Sequence, residues 1–174
     1  SRQMSERAAS SAGESARCFW APRAWIGGRW EAAVLLRVDT AGHWAEVSPG
    51  VHLPPATSIV LPGPVLPGLV NAHSHAFQRA FAGLSERRQA GADGRADNFW
   101  SWRDRMYGVA LRVTPPQLQA IAAQLFVELL RGGYTQVCEF HYLHHTEGGS
   151  RYEDPATFSC ALADAAEEAG LGLT

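Results

Sequence analysis

Short apolar runs separated by turn signals fill the chain from residue 18 to residue 62. Several runs alternate apolar and polar positions, which is typical of half-buried strands. Glycine, proline and aspartate separate them at residues 27–28, 39–42 and 48–50. The pattern predicts a small antiparallel sheet or half of a sandwich. Four tryptophans in this region are expected to pack in its core: Trp20, Trp25, Trp30 and Trp44.

After residue 75 the apolar period changes to that of helices. A helix is predicted to begin at residue 98, after a charged loop rich in Gly and Ala at residues 86–97. A second helix begins with Thr114 at the N-cap, Pro115 at N1 and Gln117 at N3. Its apolar positions continue until two glycines end it at residues 132–133.

The rest of the chain predicts a strand at residues 134–140, a helix at 154–169 closed by Gly170, and the start of another strand at 171–174. Alternating strands and helices are typical of a parallel sheet with right-handed crossovers. A complete (β/α)₈ barrel takes about 250 residues. Only about 100 residues follow His73. We therefore expect the N-terminal piece of a larger enzyme.

Composition and charge narrow the function classes. Apolar residues make up 46% of the chain and charged residues 18%, which predicts a mostly globular protein. A net charge of −2 gives no electrostatic reason to expect nucleic acid or a membrane surface as partner. No apolar run approaches the 18 residues of a membrane span, and residues 1–16 lack the apolar core of a signal peptide. A cytoplasmic protein with a disordered tail is the expectation.

The three cysteines are scattered and odd in number, so they predict neither a disulfide framework nor a clustered zinc motif. Cys138 and Cys160 are expected to be small buried residues rather than nucleophiles.

The clearest candidate chemistry is a histidine pair at the end of an apolar run, residues 66–72. Side chains two residues apart on a strand lie on the same face, so His73 and His75 could bind one metal ion together. A catalytic zinc takes three protein ligands, so the pair alone is not a complete site. The alternative is two ordinary histidines at a strand end.

The segment at residues 67–75 resembles the first barrel strand of the amidohydrolase superfamily, whose members hydrolyse C–N bonds with a metal-activated hydroxide. Three segments in order, 73–80, 99–107 and 139–145, resemble formimidoylglutamate deiminases. Members of that family convert N-formimino-L-glutamate and water to N-formyl-L-glutamate and ammonia in bacterial histidine degradation. The resemblance runs from about Arg23 to Thr174.

The resemblance implies an α/β fold, the N-terminal part of a metal-dependent TIM (β/α)₈ barrel that is incomplete in this chain. A small β-sandwich-like domain is expected to precede it. The expected divisions are a disordered tail at 1–16, a β-rich domain at 17–64 and the first βα units at 65–174.

The resemblance also implies residue roles. His73 and His75 would be ligands of one zinc ion per active site, with the other ligands and the acid–base groups beyond Thr174. Gln78, Arg103 and Tyr142 would contact a small dicarboxylate substrate. No catalytic acid or base is assigned within these 174 residues.

Each substrate contact has an alternative. Gln78 is equally suited to bonding local backbone at a helix start. Arg103 could be an ordinary exposed helical arginine, and Arg79 and Arg105 compete for the role of carboxylate clamp. Tyr142 could serve only in aromatic packing.

The second strand poses a geometric problem. Regular alternation places Tyr142 on the face of Phe140, and His141 on the face of Glu139. Both sets cannot face the metal, so His141, His144 and His145 are left unassigned.

Two other readings stay open. One is a related deaminase acting on guanine or another heterocycle. The other is a non-catalytic fragment, because this chain alone is expected to bind zinc poorly and to be inactive. The sequence does not decide between a monomer and a homodimer.

Overall fold

The computed structural model describes residues 16–83 and 99–174. The predicted tail, apart from Ala16, and the predicted loop at 86–97 lie outside these residues. The chain divides into two compact units, Ser1–Pro67 and Gly68–Thr174.

The described part of the first unit holds a four-stranded sheet. Its strands are β1 (Arg17–Ile26), β2 (Arg29–Val38), β3 (Trp44–Ser48) and β4 (Ile59–Val60), in the spatial order β3-β2-β1-β4. The first three pair antiparallel, as the alternating pattern predicts, whereas β4 lies parallel to β1. Its core contains Ala24, Val34 and Leu36. A sandwich-like domain stays a prediction.

Strand β1 runs from Arg17 to Ile26 without a break at Pro22. Pairing with β2 passes from Ala21 opposite Val34 to Arg23 opposite Ala32, without a Pro22 pair. Proline has no N–H to give to the ladder. Ala33, opposite this gap, has a φ of 53°. The strand therefore continues past the proline with a local irregularity.

The expectation that the tryptophans form the core is wrong for three of them. Trp44 is 63% exposed, Trp30 40% and Trp25 38%. The rings of Trp25 and Trp30 meet edge to face at 5.4 Å, and the Arg23 guanidinium lies 5.1 Å from the Trp30 ring centre. The two rings and the guanidinium group pack against one another on the surface of the sheet. Trp20 is half-buried.

The second unit has alternating strands and helices. A parallel sheet of order β5-β6-β7 is formed by β5 (Leu69–Ser74), β6 (Tyr134–Glu139) and β7 (Gly172–Leu173). Between them lie a 3₁₀ helix η1 (Ala76–Phe81) and the helices α1 (Phe99–Ala110), α2 (Pro115–Arg131) and α3 (Thr157–Ala169). The mixed α/β fold agrees with the predicted rhythm. Closure into a barrel stays a prediction.

Helix α2 confirms its predicted boundaries. Thr114 is the N-cap, and the Gln117 side chain accepts a hydrogen bond from the Thr114 backbone N–H at 3.0 Å. At the other end Gly133 has a φ of 88°, a conformation that glycine adopts without strain.

Helix α3 begins later than predicted, at Thr157 rather than at residue 154. The Asp154 side chain accepts a hydrogen bond from the Ala156 N–H at 2.8 Å, and its carbonyl accepts one from the Thr157 N–H at 3.2 Å. An aspartate turn therefore occupies the residues before the helix. Gly170 ends α3 in the left-handed region, as expected.

The core of the second unit packs the helices against the sheet. Its largest fully buried side chains are Phe77, Phe126, Phe158, Leu118 and Val137. Phe77 lies on η1, which the sequence pattern did not predict. Among the described residues, no helix is both long and apolar enough to cross a membrane.

A close approach at Gly68 gives a stability prediction. A Cβ at this position would overlap the Thr135 side chain on the neighbouring strand. We expect Gly68→Ala to lower the free energy of unfolding by about 1–3 kcal/mol, because strand β6 must shift. Gly108→Ala in α1 is the matched control. Its Cβ would meet no atom within 4 Å, so a stabilisation of about 0.5–1 kcal/mol is expected. Urea unfolding measures both changes. An unchanged free energy of unfolding in Gly68→Ala would contradict the predicted overlap with Thr135.

Candidate functional site

The two predicted metal ligands lie close together where β5 ends. His73 is in the strand, and His75 follows it as the N-cap residue of η1. Their ring centres are 4.8 Å apart and nearly perpendicular, at 81°. The turn into η1 therefore brings the rings together, although His75 itself is outside the regular strand.

The His75 ring is held by the segment that follows β6. Its Nδ1 lies 2.6 Å from the carbonyl oxygen of Phe140. A carbonyl oxygen can only accept, so Nδ1 carries the proton and the neutral ring has its lone pair on Nε2. The Tyr142 ring lies 4.9 Å from the His75 ring and tilted by 35°. A backbone carbonyl bonded to one ring nitrogen is a usual way of orienting an imidazole that binds a metal through the other.

An open cleft of about 270 Å³ lies at this end of the sheet, lined by residues 72–75 and 138–140. Parallel strands gather their carboxyl ends at one edge, where active sites of α/β proteins lie. His73, His75 and Glu139 thus share one cleft.

Gln78 and Tyr142 meet beside His75. The Gln78 backbone N–H donates to the His75 carbonyl at 2.9 Å, and the Gln78 side-chain amide donates to the Met106 sulfur at 3.6 Å. The same amide has a small lowering effect on the pKa of Tyr142. Burial raises the pKa of Tyr142 above its ordinary value, with smaller upward effects from Tyr107 and Glu139. The phenol therefore remains a neutral donor at physiological pH.

The conflict between Tyr142 and His141 disappears because β6 ends at Glu139. Residues 140–143 are irregular, so alternation no longer fixes their faces. Tyr142 packs on His75, while His141 Nε2 lies 3.0 Å from the Ser159 hydroxyl. Burial lowers the pKa of His141, and His144 lowers it further.

Arg103 lies on α1 between two aromatic rings. Its guanidinium carbon is 5.6 Å from the Trp100 ring centre and 5.3 Å from that of Tyr107. Tyr107 in turn acts on the pKa of Tyr142. Stacking of this kind leaves the edge of a guanidinium available to a carboxylate.

The structure separates Arg103 from one competitor. Arg79 makes a two-point ion pair with Glu128, with Nε to Oε2 at 2.9 Å and Nη2 to Oε1 at 2.8 Å. The guanidinium group of Arg79 therefore already has a carboxylate partner in Glu128. The side chain of Arg105 lies outside the described positions.

The same ion pair predicts a pH dependence of stability. The bond from Arg79, helped by Gln124, lowers the pKa of Glu128 from 4.5 to about 2. Because the folded-state pKa is depressed, the pair stabilises the fold above about pH 4.5 and loses this contribution as pH falls toward 2. Urea unfolding between pH 2 and 6 should show wild type and Glu128→Gln differing at pH 6 and converging at low pH. A difference independent of pH would contradict this.

The cysteine expectation is partly wrong. Cys160 is exposed, and Cys138 is half-buried in the cleft wall. Cys160 lies on the outer face of α3, where a small side chain needs no burial.

Two neighbours of the candidate residues were not predicted from the sequence, Tyr107 and the carbonyl of Phe140. Tyr107 lies four residues after Arg103 on α1, and this helical spacing could have identified it. The Phe140 carbonyl gives no sequence signal, because its use depends on where β6 ends.

The described side chains at this end of the sheet supply part of a zinc ligand set. Within residues 16–83 and 99–174, no group of three or more His, Cys, Asp or Glu side chains is arranged to hold one. Two imidazoles with one ring anchored through Nδ1 fit zinc as part of a ligand set. The pair supplies two of the three protein ligands usual at a catalytic zinc.

Comparisons with known proteins identify relatives and fold neighbours of this chain. The chain is 44% identical over 156 residues to formimidoylglutamate deiminase of Pseudomonas aeruginosa, covering 90% of this chain and 33% of that protein. A crystal structure of an amidohydrolase from Brucella melitensis superposes with a TM-score of 0.81 at 39% identity, covering 91% of this chain and 34% of that one.

A zinc-bound structure is also a fold neighbour. Atrazine chlorohydrolase of Arthrobacter aurescens, complexed with zinc, gives a TM-score of 0.60 at 18% identity and covers 90% of this chain and 34% of that one. This chain thus spans about a third of the length of the relatives it matches.

The family model described as "Amidohydrolase family" matches residues 65–174, more than half of the chain. The match includes the histidine pair, the 3₁₀ helix, and strand β6 with the Phe140 carbonyl that anchors His75. The chain belongs to the amidohydrolase family.

Proposed function

We propose that this protein hydrolyses N-formimino-L-glutamate to N-formyl-L-glutamate and ammonia, a step of histidine degradation. The identity of 44% to a formimidoylglutamate deiminase and the family membership support a hydrolase of C–N bonds. The substrate is a small dicarboxylate. Because this chain spans about a third of that relative, the activity is proposed for the protein at its full natural length.

One observation carries the proposal. The His73 and His75 rings converge at 4.8 Å, and the Phe140 carbonyl fixes the His75 tautomer that leaves Nε2 free. These two residues would hold a zinc ion. When bound, zinc lowers the pKa of a coordinated water to about 7 and so makes hydroxide available at neutral pH. We expect the other ligands to come from the part of the relatives' length that this chain does not span.

The substrate contacts follow from the surrounding side chains. Arg103 would pair with a carboxylate through its guanidinium edge while its faces stack on Trp100 and Tyr107. Gln78 and Tyr142 present an amide and a neutral phenol beside His75, suited to the second carboxylate or to the formimino nitrogen. Together they would orient the substrate in the cleft.

The overall reaction adds water to the formimino carbon and releases ammonia, and it needs no oxidant and no co-substrate other than water. Ammonia release by the full-length protein from N-formimino-L-glutamate tests it, with guanine as the comparison substrate. We expect turnover of the first alone, with N-formyl-L-glutamate as the second product. Clear turnover of guanine without turnover of the dicarboxylate would refute the proposal.

A further inference from the structure

Glu139, the last residue of β6, reaches across to the turn that carries His75. Its Oε1 accepts a hydrogen bond from the Ala76 N–H at 2.7 Å. Ala76 directly follows His75, begins η1 and is fully buried. The carboxylate therefore bonds to the backbone on the C-terminal side of His75.

The next residue fixes the same turn from its other side. The Phe140 N–H donates to the Ser74 carbonyl at 3.0 Å, and the Phe140 carbonyl accepts from His75 Nδ1 at 2.6 Å. Residues 139 and 140 thus bond to the backbone before His75, to the backbone after it and to its ring. Only the ring contact acts on the side chain directly. The two backbone bonds hold the main chain on either side of His75, and so fix the point from which its side chain extends.

The other oxygen of Glu139 separates a positioning role from a catalytic one. Oε2 is closed off from solvent and has no hydrogen-bond partner among the described residues. An oxygen that water cannot reach is not placed to exchange a proton with substrate. Burying a carboxylate with only one of its oxygens hydrogen-bonded costs free energy. The bond from the Ala76 N–H is therefore the interaction that keeps the side chain in place.

We propose that Glu139 is a positioning residue whose bond to Ala76 fixes the turn that presents His75 Nε2 to the metal. This inference rests on the proposed metal role of His75. Loss of an outer partner of a metal-binding histidine typically weakens metal affinity by about 10–100-fold. Glu139 acts at the backbone next to the ligand, where a small rotation redirects the whole ring.

Three variants of Glu139 separate the effect of its side-chain length from the effect of its charge. Glu139→Gln keeps an oxygen that can accept from Ala76, and Glu139→Asp keeps the charge but is one methylene too short. Glu139→Ala keeps neither. Zinc affinity of the full-length protein is measured by competition with a chelating dye. We expect an affinity within about 3-fold of wild type for Glu139→Gln, and losses of about 10–100-fold for Glu139→Asp and Glu139→Ala. Glu167→Ala, at an exposed position of α3, is the matched control and should be unchanged.

If Glu139→Ala does not fold by circular dichroism, the comparison of Gln with Asp decides. Equal affinity of Asp and wild type, or an equal loss in Gln and Asp, would overturn the proposal. A second readout needs no metal. Above pH 8, ¹⁵N NMR of the metal-free protein should show the His75 Nδ1–H tautomer in wild type and Gln, and a mixture in Asp.

An unchanged tautomer in Glu139→Asp would also refute the positioning role. Failure of the proposed function has a different signature, because His75→Ala would then retain wild-type zinc affinity. The NMR comparison still decides whether Glu139 positions His75 in that case.

Discussion

Replacing His75 by alanine in the full-length protein should weaken zinc binding by more than about 100-fold, because losing even an outer partner of a ligand costs about 10–100-fold. Ammonia release from N-formimino-L-glutamate should fall to the uncatalysed background. His73→Ala should behave in the same way, since the two rings lie 4.8 Å apart and face one cleft. Metal content after dialysis and steady-state kinetics measure the two effects.

His52→Ala is the matched control for this pair. His52 is exposed in a non-strand segment of the first unit, so its loss should change neither zinc content nor turnover. Thermal unfolding of each variant without metal separates a lost ligand from a lost fold. Wild-type zinc content in His73→Ala or His75→Ala would contradict the assignment.

Replacing Arg103 by methionine should raise KM for N-formimino-L-glutamate and leave kcat nearly unchanged. Removing one partner of a desolvated charge pair costs about 2–5 kcal/mol, which corresponds to a rise of about 30-fold to several thousand-fold. We expect the effect in KM because a carboxylate takes no part in bond making or breaking and would be bound equally in the transition state. Methionine keeps apolar contact with the Trp100 and Tyr107 rings.

Arg103→Lys tests geometry apart from charge and should fall between wild type and Met, because an ammonium cannot make the two-point contact. Arg112→Met, just beyond α1 and exposed, is the control and should leave KM unchanged. A wild-type KM in Arg103→Met would show that another group binds the carboxylate. Equal losses for Met at 103 and 112 would indicate a general effect of charge.

Local signals in the sequence were sufficient for much of the fold. Thr114, Pro115 and Gln117 act through bonds within four residues, and both ends of α2 are where they were predicted. Gly170 likewise ends α3 by its own backbone preference. The alternation of strands and helices predicted the parallel sheet, because such a sheet needs crossover connections.

One error comes from contacts between distant residues, and two come from local structures that the periodic pattern does not show. Burial of Trp25, Trp30 and Trp44 depends on what covers each face of the sheet, which alternation does not specify. The late start of α3 depends on the Asp154 turn competing with the first helical turn. The 3₁₀ helix η1 has no periodic signal because it is only six residues long.

The candidate site shows the same division. The spacing of His73 and His75 is local, and it placed both rings at the end of one strand. The choice between Arg79 and Arg103 depended on the ion pair of Arg79 with Glu128, which is 49 residues away in sequence. The position of Tyr142 required knowing that β6 ends at Glu139. Neither fact is contained in the local pattern.

We expect the cleft formed by His73 and His75 to be part of a metal site that deimination requires. The most direct test removes the metal from the full-length protein with a chelator and adds zinc back in steps while ammonia release from N-formimino-L-glutamate is measured. We predict no activity without metal and a linear rise that ends at one zinc per active site, with no recovery in His75→Ala. Full activity of the metal-free protein, or equal recovery in His75→Ala, would contradict the account.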